Sequence, residues 1–508
     1  MVNKRPNLLF IMTDQHRYDI MSIAGNDIIE TPNMDRIGQE GVYFERADSH
    51  CPVCGPARTS MLLGKSLEKT GIRTNRATFD YEENDKVCSM ETFDDILSKN
   101  GYYTEYQGKW HAPECISTSY DNPDRTVFNV HKYNIKIRED VCEKIPPREP
   151  EEGEQIVPTY NQPYEMDPID RRYGLAPGEK PDDGRGDIIQ PDNHGKLKIP
   201  AEYTKTAYTG RETIEALERS QKNDQPFSIT CSFGPPHAPM VIPDPYYSMY
   251  PPEDMVLPES IEDSMENSPY KNTNGRQNMP EYRDIEKIKY MMSNYYGMVR
   301  QIDDWIGKII DKLEEMGELD NTLIIYTSDH GEMLGAHGMR EKNVFYEESV
   351  HVPFVMRFPE KIKPNTVVKE PVSHLDLYPT ILDFLGVDEQ EADGKSLRPL
   401  IEGESKKSGE SYTIAEWNYR GDTEPNYCVV TEKWKYIICR TDRVGLIDCL
   451  YNLEEDPNEM NNLIGKNPDR ESYRERAEIM KSYLLEYMER INHPFFEEVK
   501  EKNSISQV

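Results

Sequence analysis

A short cysteine-containing stretch, Cys51 to Lys65, has residue types and spacing that could do chemistry. Its two cysteines, Cys51 and Cys54, stand as C-P-V-C, and Cys54 begins a C-x-P-x-R pattern that ends on Arg58. A C-x-x-C pair can be half of a metal site or a redox centre. A zinc knuckle needs a second such pair, and the other seven cysteines form none. A redox pair belongs with a thioredoxin-like unit much smaller than this chain, so the rest of the sequence must decide what Cys54 does.

Polar clusters follow several predicted strands. They are Asp14 with Gln15 after residues 7–13, Lys109 with His111 after 102–107, His237 after 227–233, and Asp329 with His330 after 322–327. In open α/β sheets, ligands bind at the carboxyl ends of strands. One acidic strand end is commonly a helix cap, and a lone histidine is more often structural than a ligand. Several clusters at one edge are harder to explain that way, because each buried charge needs a partner, which a divalent cation would supply.

The elements that must position these residues alternate between strands and helices. Compact apolar runs predict strands, and amphipathic spacing predicts helices. Further strands are expected at 42–44 and 352–357, helices at 31–40, 93–99, 203–222, 285–316 and 375–385, a hairpin with strands at 428–430 and 434–439, and a final helix at 470–491. Residues 59–63 also read as helical. A helix with Cys54 at its N-terminus would direct the positive end of its dipole at an anion.

Blocks along the chain resemble the type I, formylglycine-dependent sulfatases of the alkaline phosphatase superfamily, including bacterial polysaccharide sulfatases. In chain order, the blocks are Asp14-Gln15, Cys54 to Gly64, Gly108 to His111, Pro236 to Pro239, Asn321 to Gly331, Lys342 with Tyr346-Glu347-Glu348-Ser349 and Val352-Pro353, and Leu450-Tyr451-Asn452-Leu453 with Asp456-Pro457 and Glu459. The resemblance spans residues 7 to about 463. It implies an α/β fold with a large, mostly parallel or mixed central sheet flanked by helices, followed by a smaller C-terminal α/β subdomain.

We expect two domains. The first, residues 1–400, would be catalytic and would carry long specificity loops at 112–200 and 243–280, because long ordered loops over a catalytic edge usually shape specificity. The second, residues 401–508, would contain a small antiparallel sheet and the terminal helix.

The resemblance implies a cofactor set. A formylglycine-generating enzyme or an anaerobic sulfatase-maturating enzyme would oxidise Cys54 to formylglycine (3-oxoalanine), whose hydrate is the nucleophile. One divalent metal would be held by Asp14, Gln15, the modified Cys54, Asp329 and His330. Many relatives have a second Asp in place of Gln15, and Asn is common in place of His330. Carboxylate and amide oxygens favour calcium, while the imidazole leaves manganese as an alternative.

The resemblance also implies catalytic roles. Arg58 and Lys109 would hold the hydrated aldehyde, and His111 would handle its second proton. His237 and Lys342 would meet the sulfate and the leaving oxygen. In the implied reaction, one hydroxyl of the hydrate attacks sulfur, and the other then loses a proton so that sulfate is expelled.

Three further residues are weaker candidates for contact with the organic part of the substrate. They are His16 and Arg17, next to the first strand, and His337. All three could equally be supporting or surface residues. If the resemblance of its block to the family is set aside, the sequence around Lys342 predicts an exposed lysine in a polar loop.

Three functions are compatible with these residues. The first is hydrolysis of a sulfate ester on a carbohydrate, of the ulvan or glycosaminoglycan type. The second is a phosphonate monoester or phosphodiester hydrolase of the same superfamily, which shares the modified cysteine. The third is a non-catalytic binding protein, against which the intact residues at every expected position argue.

The composition excludes some partners. The 508 residues include 92 Asp and Glu against 60 Lys and Arg, a formal net charge of −32. Such a surface repels nucleic acid and anionic membranes. The nine cysteines do not read as a disulfide framework, and no apolar run reaches membrane-spanning length. We expect a soluble protein, cytoplasmic as the sequence is given, or periplasmic or secreted if a signal peptide has been removed.

Overall fold

The structure, a computed structural model, describes residues 4–78, 85–116, 119–120, 194–197, 200–222, 224–271, 284–388, 390–404, 410–419, 424–441 and 447–505. Its strands are β1 (Asn7–Asp14), β2 (Val42–Phe44), β3 (Ala47–Asp48), β4 (Tyr103–Gly108), β5 (His194–Lys196), β6 (Phe227–Pro236), β7 (Met240–Ile242), β8 (Thr322–Ser328), β9 (Phe354–Arg357), β10 (Thr366–Val368), β11 (Val372–Ser373), β12 (Tyr412–Tyr419), β13 (Glu424–Thr431), β14 (Trp434–Cys439) and β15 (Cys449–Asn452). Its α-helices are α1 (Pro32–Gln39), α2 (Cys54–Leu63), α3 (Leu67–Thr70), α4 (Asp85–Cys88), α5 (Phe93–Lys99), α6 (Lys205–Ser220), α7 (Tyr246–Met249), α8 (Ile285–Glu315), α9 (Glu347–Val350), α10 (Leu377–Leu385), α11 (Arg398–Ile401), α12 (Arg474–Arg490) and α13 (Phe496–Glu501).

A seven-stranded central sheet organises the first part of the chain, in the order β10-β2-β9-β8-β1-β6-β4. Strand β1 lies parallel to both of its neighbours, β8 and β6, and β4 lies parallel to β6. Strand β9 runs antiparallel to β8 and β2. The predicted mixed, mostly parallel sheet is therefore confirmed.

Helices cover both faces of this sheet, which explains why β1 is apolar from Leu8 to Met12 and buried at every position. Because successive strand side chains point to opposite faces, β1 contributes Leu8, Phe10 and Met12 to one core and Leu9 and Ile11 to the other. The first core includes side chains of α2, α5 and α10 (Met61, Leu62, Phe93, Leu97, Ile381 and Leu382). The second includes side chains of α1, α6 and α8 (Met34, Ile37, Ala207, Leu217, Ile302 and Ile306).

The C-terminal part contains the four-stranded antiparallel sheet β12-β13-β14-β15. Helix α12 packs against it through Ala477, Met480, Leu484 and Met488. The backbone N–H of Glu416 in β12 donates to the His50 carbonyl at 2.7 Å, which ties this sheet to the segment preceding α2. The predicted smaller C-terminal subdomain is present, while the boundary at residue 400 stays a prediction.

The observed elements differ from the predicted ones in a few places. Strand β12 was not predicted, because its charged Glu416 is buried beside His50 and His493 rather than exposed. Cys88 and Cys115 form a disulfide that their sequence separation of 27 residues did not suggest. It joins the end of α4 to a turn that tertiary packing brings alongside.

Parts of both predicted specificity loops lie outside the described residues, namely 117–118, 121–193, 198–199 and 272–280. Within the described ranges, none of the helices has the length and apolar character needed to cross a membrane.

Candidate active site

The carboxyl edge of the central sheet brings the first and the last of the predicted clusters together. Thr13 of β1 pairs with Ser328 of β8, so that Asp14 and Asp329 leave the sheet side by side. Both aspartates are fully buried. Helix α2 begins at Cys54, directly after Val53. The partial positive charge of a helix N-terminus lies in its first turn. Cys54 therefore lies at a positive helix end.

Four buried donors form a compact group. One ligand atom from each of Asp14, Cys54, Asp329 and His330 lies within 4.8 Å of the others. The Cys54 Sγ is 3.1 Å from His330 Nε2 and 3.7 Å from Asp14 Oδ1. The His330 Nδ1 lies 2.9 Å from the Gly331 carbonyl, to which it donates, so Nε2 can present a lone pair. Two carboxylates and an imidazole nitrogen around a buried point fit a divalent cation.

Arg58 supplies a fixed positive charge to the same group. It is completely buried, and its Nε donates to Asp329 Oδ2 at 2.7 Å. One terminal nitrogen donates to the Lys109 carbonyl at 2.7 Å and to Ser232 Oγ at 2.8 Å, and the other lies 3.6 Å from Asp14 Oδ2. The guanidinium thus connects the ends of β1, β4, β6 and β8.

The two cysteines of the C-P-V-C motif have opposite electrostatic environments. Burial raises the pKa of the Cys54 thiol, but the Lys342 and Lys109 ammonium groups outweigh it and hold that pKa well below its ordinary value. Burial raises the pKa of the Cys51 thiol well above its ordinary value. Cys54 is therefore the thiol that is prepared to ionise.

Lys109 and His111 approach Cys54 from the end of β4. The Lys109 ammonium forms an ion pair with Asp14. Burial and Cys54 raise the pKa of the Asp14 carboxyl, but Lys109, His237 and Arg58 outweigh them and hold it below its usual range. The His111 side chain forms a hydrogen bond with Cys54, and burial lowers the pKa of its imidazole.

Lys342 is nearly buried at the same site, with 7% of its surface exposed. Its Nζ lies 2.9 Å from His237 Nε2 and donates to Gln15 Oε1. The His237 Nδ1 lies 2.7 Å from the Ala238 carbonyl, so His237 donates there and accepts from Lys342. The exposed-lysine interpretation of Lys342 is therefore wrong, because the fold buries its side chain at the site.

The three weaker candidates are placed differently. Both ring nitrogens of the buried His16 have partners, Tyr326 Oη at 2.5 Å and the Ile20 carbonyl at 3.0 Å, so this ring has no free atom for a substrate. Burial lowers its pKa to about 4. The Arg17 guanidinium forms an ion pair with Asp19 at 2.6 Å. Contact between Arg17 and a substrate stays a prediction.

His337 is fully buried and stacks on Tyr346 with ring centroids 3.8 Å apart. Its Nδ1 lies 2.7 Å from Asp263 Oδ2. A substrate contact through His337 also stays a prediction.

Two residues around the site were not predicted individually. Ser232 Oγ accepts from Arg58 and donates to the Lys109 carbonyl at 2.7 Å. Glu332 accepts from the Gln15 amide. The sequence signal for Glu332 was an acidic residue three positions after Asp329, whereas Ser232 depends on strand register and had no sequence signal.

Models of known protein families match this chain over most of its length. The sulfatase family model matches residues 6–387. The chain belongs to the sulfatase family. It is accordingly a sulfuric ester hydrolase, and a second model, N-sulphoglucosamine sulphohydrolase C-terminal, matches residues 335–489 of this sulfatase. One relative, an N-acetylglucosamine-6-O-sulfatase of Bacteroides thetaiotaomicron, is 28% identical over 518 residues, covering 95% of this chain and 87% of the relative.

Solved structures show the same fold. A protein in complex with its substrate D-glucosamine-2-N,6-O-disulfate has a TM-score of 0.72 at 23% identity, covering 98% of this sulfatase and all of that chain. The phosphonate monoester hydrolase of Agrobacterium radiobacter has a TM-score of 0.73 at 23% identity, covering 96% of each chain. The fold is therefore shared by enzymes that act on sulfate and on phosphonate esters.

Proposed function

We propose that this sulfatase removes sulfate from a sulfated carbohydrate, with Cys54 converted to formylglycine and a divalent metal, calcium by preference, at Asp14, Gln15, Asp329 and His330. The observation that carries the proposal is the group of four buried donors that includes Cys54, with Arg58, Lys109 and Lys342 beside it. The relative named for N-acetylglucosamine-6-O-sulfate supports an amino-sugar substrate. When bound, the metal would polarise a sulfate oxygen, and the hydrated formylglycine would supply a hydroxyl nucleophile.

The chain's own residues do the remaining work. The N-terminus of α2 and the cations Arg58, Lys109 and Lys342 attract a sulfate group, against the unfavourable net charge of the whole protein. Lys109 orients residue 54 and Asp14 together, and His111, in hydrogen-bond contact with position 54, accepts a proton there. The Lys342–His237 pair holds the bridging oxygen and delivers a proton to the departing alcohol.

A mass spectrum and a substrate panel test the proposal. The peptide containing residue 54, from protein expressed with a maturation enzyme, should lose the mass difference between cysteine and formylglycine. Sulfated mono- and oligosaccharides, beginning with N-acetylglucosamine-6-sulfate, should release sulfate. An unmodified thiol at position 54, together with no sulfate release from any member of the panel, would favour a non-catalytic binding protein.

Phosphonate monoester hydrolysis is the second candidate, because the fold is shared with such an enzyme and a singly charged tetrahedral group fits the same cations. Matched aryl sulfate and aryl phosphonate esters separate the two by kcat/KM. A higher kcat/KM for the phosphonate would overturn the carbohydrate sulfatase proposal.

A further inference from the structure

The Glu332 carboxylate lies behind the proposed metal ligand Gln15 and has three hydrogen-bond donors. One oxygen, Oε1, accepts from the backbone N–H of Leu334 at 3.2 Å and from that of Glu341. The other, Oε2, accepts from Gln15 Nε2. Glu332 and Gln15 are both fully buried, so water cannot replace these contacts. Both oxygens of Glu332 are engaged by N–H donors, so this side chain accepts all three hydrogen bonds and the Gln15 atom that faces it is the amide nitrogen.

The orientation of the Gln15 amide follows from this contact. Because the amide nitrogen must face Glu332, the amide oxygen faces the other way, where it accepts from Lys342 Nζ. Oxygen is the atom that a hard divalent cation binds, and an amide nitrogen is not a ligand for it. A flipped amide would also put its NH₂ group against the Lys342 ammonium, donor against donor. The two amide orientations are thus far from equivalent in this site.

The same carboxylate fixes the loop that carries Lys342. Glu341, the residue before Lys342, has φ of 67°, and Leu334 has φ of 43°, both in the left-handed region that non-glycine residues rarely occupy. The backbone N–H groups of both residues donate to Glu332, and Met333 N–H donates to the Glu341 carbonyl at 2.8 Å. Glu332 therefore holds Gln15 and the start of the Lys342 segment at a fixed separation, although Gln15 and Lys342 are 327 residues apart.

We propose that Glu332 is a positioning residue for the reaction, one that selects the oxygen-inward orientation of the Gln15 amide and anchors the backbone beside Lys342. The inference rests on the proposed function insofar as Gln15 binds a metal. Its donor–acceptor logic stands on the hydrogen bonds alone. Exchanging the two residue types should therefore preserve the match that each single substitution breaks.

The test is a double-mutant cycle with Glu332→Gln, Gln15→Glu and the double variant. In Glu332→Gln, the new amide oxygen can keep the backbone N–H groups, but its NH₂ group meets the Gln15 NH₂ group, and Gln15 must flip. In Gln15→Glu, two carboxylates face each other. In the double variant, the amide at 332 donates to the carboxylate at 15, and a carboxylate oxygen again faces inward. Glu341→Gln is the matched control, because its carboxylate acts on Lys342 through charge, as that of Glu332 does.

Calcium affinity by calorimetry and the melting temperature of chelator-treated protein are measured for each variant. We expect Glu332→Gln to weaken calcium binding about 10- to 100-fold, as loss of a group behind a metal ligand commonly does. The control Glu341→Gln should change the calcium affinity less than about threefold, because removing an exposed or partly exposed charge has a small effect. The double variant should bind calcium more tightly than Glu332→Gln, and should melt above the temperature expected from adding the two single effects.

Additive effects on the melting temperature would overturn the inference, and so would equal calcium affinities of Glu332→Gln and a wild type that binds calcium. If Glu332→Gln does not fold, recovery of folded protein in the double variant supports the inference and its failure overturns it. If the wild-type protein hydrolyses no sulfate ester and binds no calcium, the proposed function is overturned. A non-additive effect of the cycle on the melting temperature would still support the role of Glu332 in orienting Gln15.

Discussion

Replacing each cysteine of the C-P-V-C motif by alanine should separate chemistry from packing. Cys51 and Cys54 are three residues apart and equally buried, at 0% and 1% exposed, so that each is the natural control for the other. Cys51 packs against Val53, Ala57 and Leu67, whereas the Cys54 sulfur lies between His330 Nε2 and Asp14 Oδ1. We expect Cys51→Ala to cost stability with little effect on turnover, and Cys54→Ala to abolish turnover with little effect on stability.

The magnitudes follow from these surroundings. Removing the Cys51 sulfur loses the transfer free energy of about one methylene-sized group, roughly 0.8 kcal/mol, plus a cavity term, for a total of about 1–2 kcal/mol. For a chain of this size, 1 kcal/mol shifts the melting temperature by at most about 2–4 °C. In protein whose Cys54 is not yet converted, removing the Cys54 sulfur loses attraction to Lys109 and Lys342 but relieves the repulsion that raises the pKa of Asp14, so the stability change should stay within about 1 kcal/mol.

Differential scanning fluorimetry and sulfate release from an aryl sulfate measure the two effects. Loss of a covalent nucleophile commonly reduces kcat by about 10⁴-fold or more. The reasoning would be refuted if Cys54→Ala kept turnover within tenfold of wild type, or if Cys51→Ala abolished turnover while its melting temperature was unchanged.

Three further outcomes are expected. Lys342→Met should lower kcat/KM by roughly 10²–10⁴-fold for esters of poor leaving groups and less for activated aryl esters. The reason is that a proton from the Lys342–His237 pair matters most for a basic leaving oxygen. An equal loss across a leaving-group series would contradict this role. Chelation should abolish activity and lower the melting temperature, with calcium restoring both, since ligand at 100 times its Kd stabilises by about 2.7 kcal/mol; full activity after exhaustive chelation would argue against the metal. Burial raises the pKa of the Asp94 carboxyl to about 7, so the folded protein holds a proton that the unfolded chain releases near the ordinary pKa of 3.8. The wild type should therefore lose stability relative to Asp94→Asn as pH rises from about 4 to about 7; melting temperatures that run parallel for the two proteins across that range would contradict the assignment.

The central sheet was largely predictable from local patterns. The run 7–13 is apolar and ends in polar residues, which identified β1 and its Asp14 end, and the run 322–327 identified β8 in the same way. These signals are local because strand burial on both faces requires a continuous apolar run. The carboxyl-edge rule then placed Asp14 and Asp329 together without knowledge of the register.

Features with nonlocal causes were not predictable. Strand β12 carries a buried Glu416, whose partners His50 and His493 are distant in sequence. The disulfide between Cys88 and Cys115 depends on the packing of α4.

The sequence by itself determined the residue types of the site, the C-x-P-x-R pattern at Cys54 and the strand ends that converge on it. Tertiary structure decided which thiol is prepared to ionise. Burial raises the pKa of both thiols, but at Cys54 the Lys342 and Lys109 cations, which come from other parts of the chain, outweigh burial and lower the pKa, whereas the pKa of Cys51 stays raised. Tertiary structure also decided which atom Gln15 presents, because the orientation of an amide is set by the hydrogen-bond partners around it, here Glu332 and Lys342. Charge and hydrogen-bond direction act through space, and their partners are therefore defined by the fold.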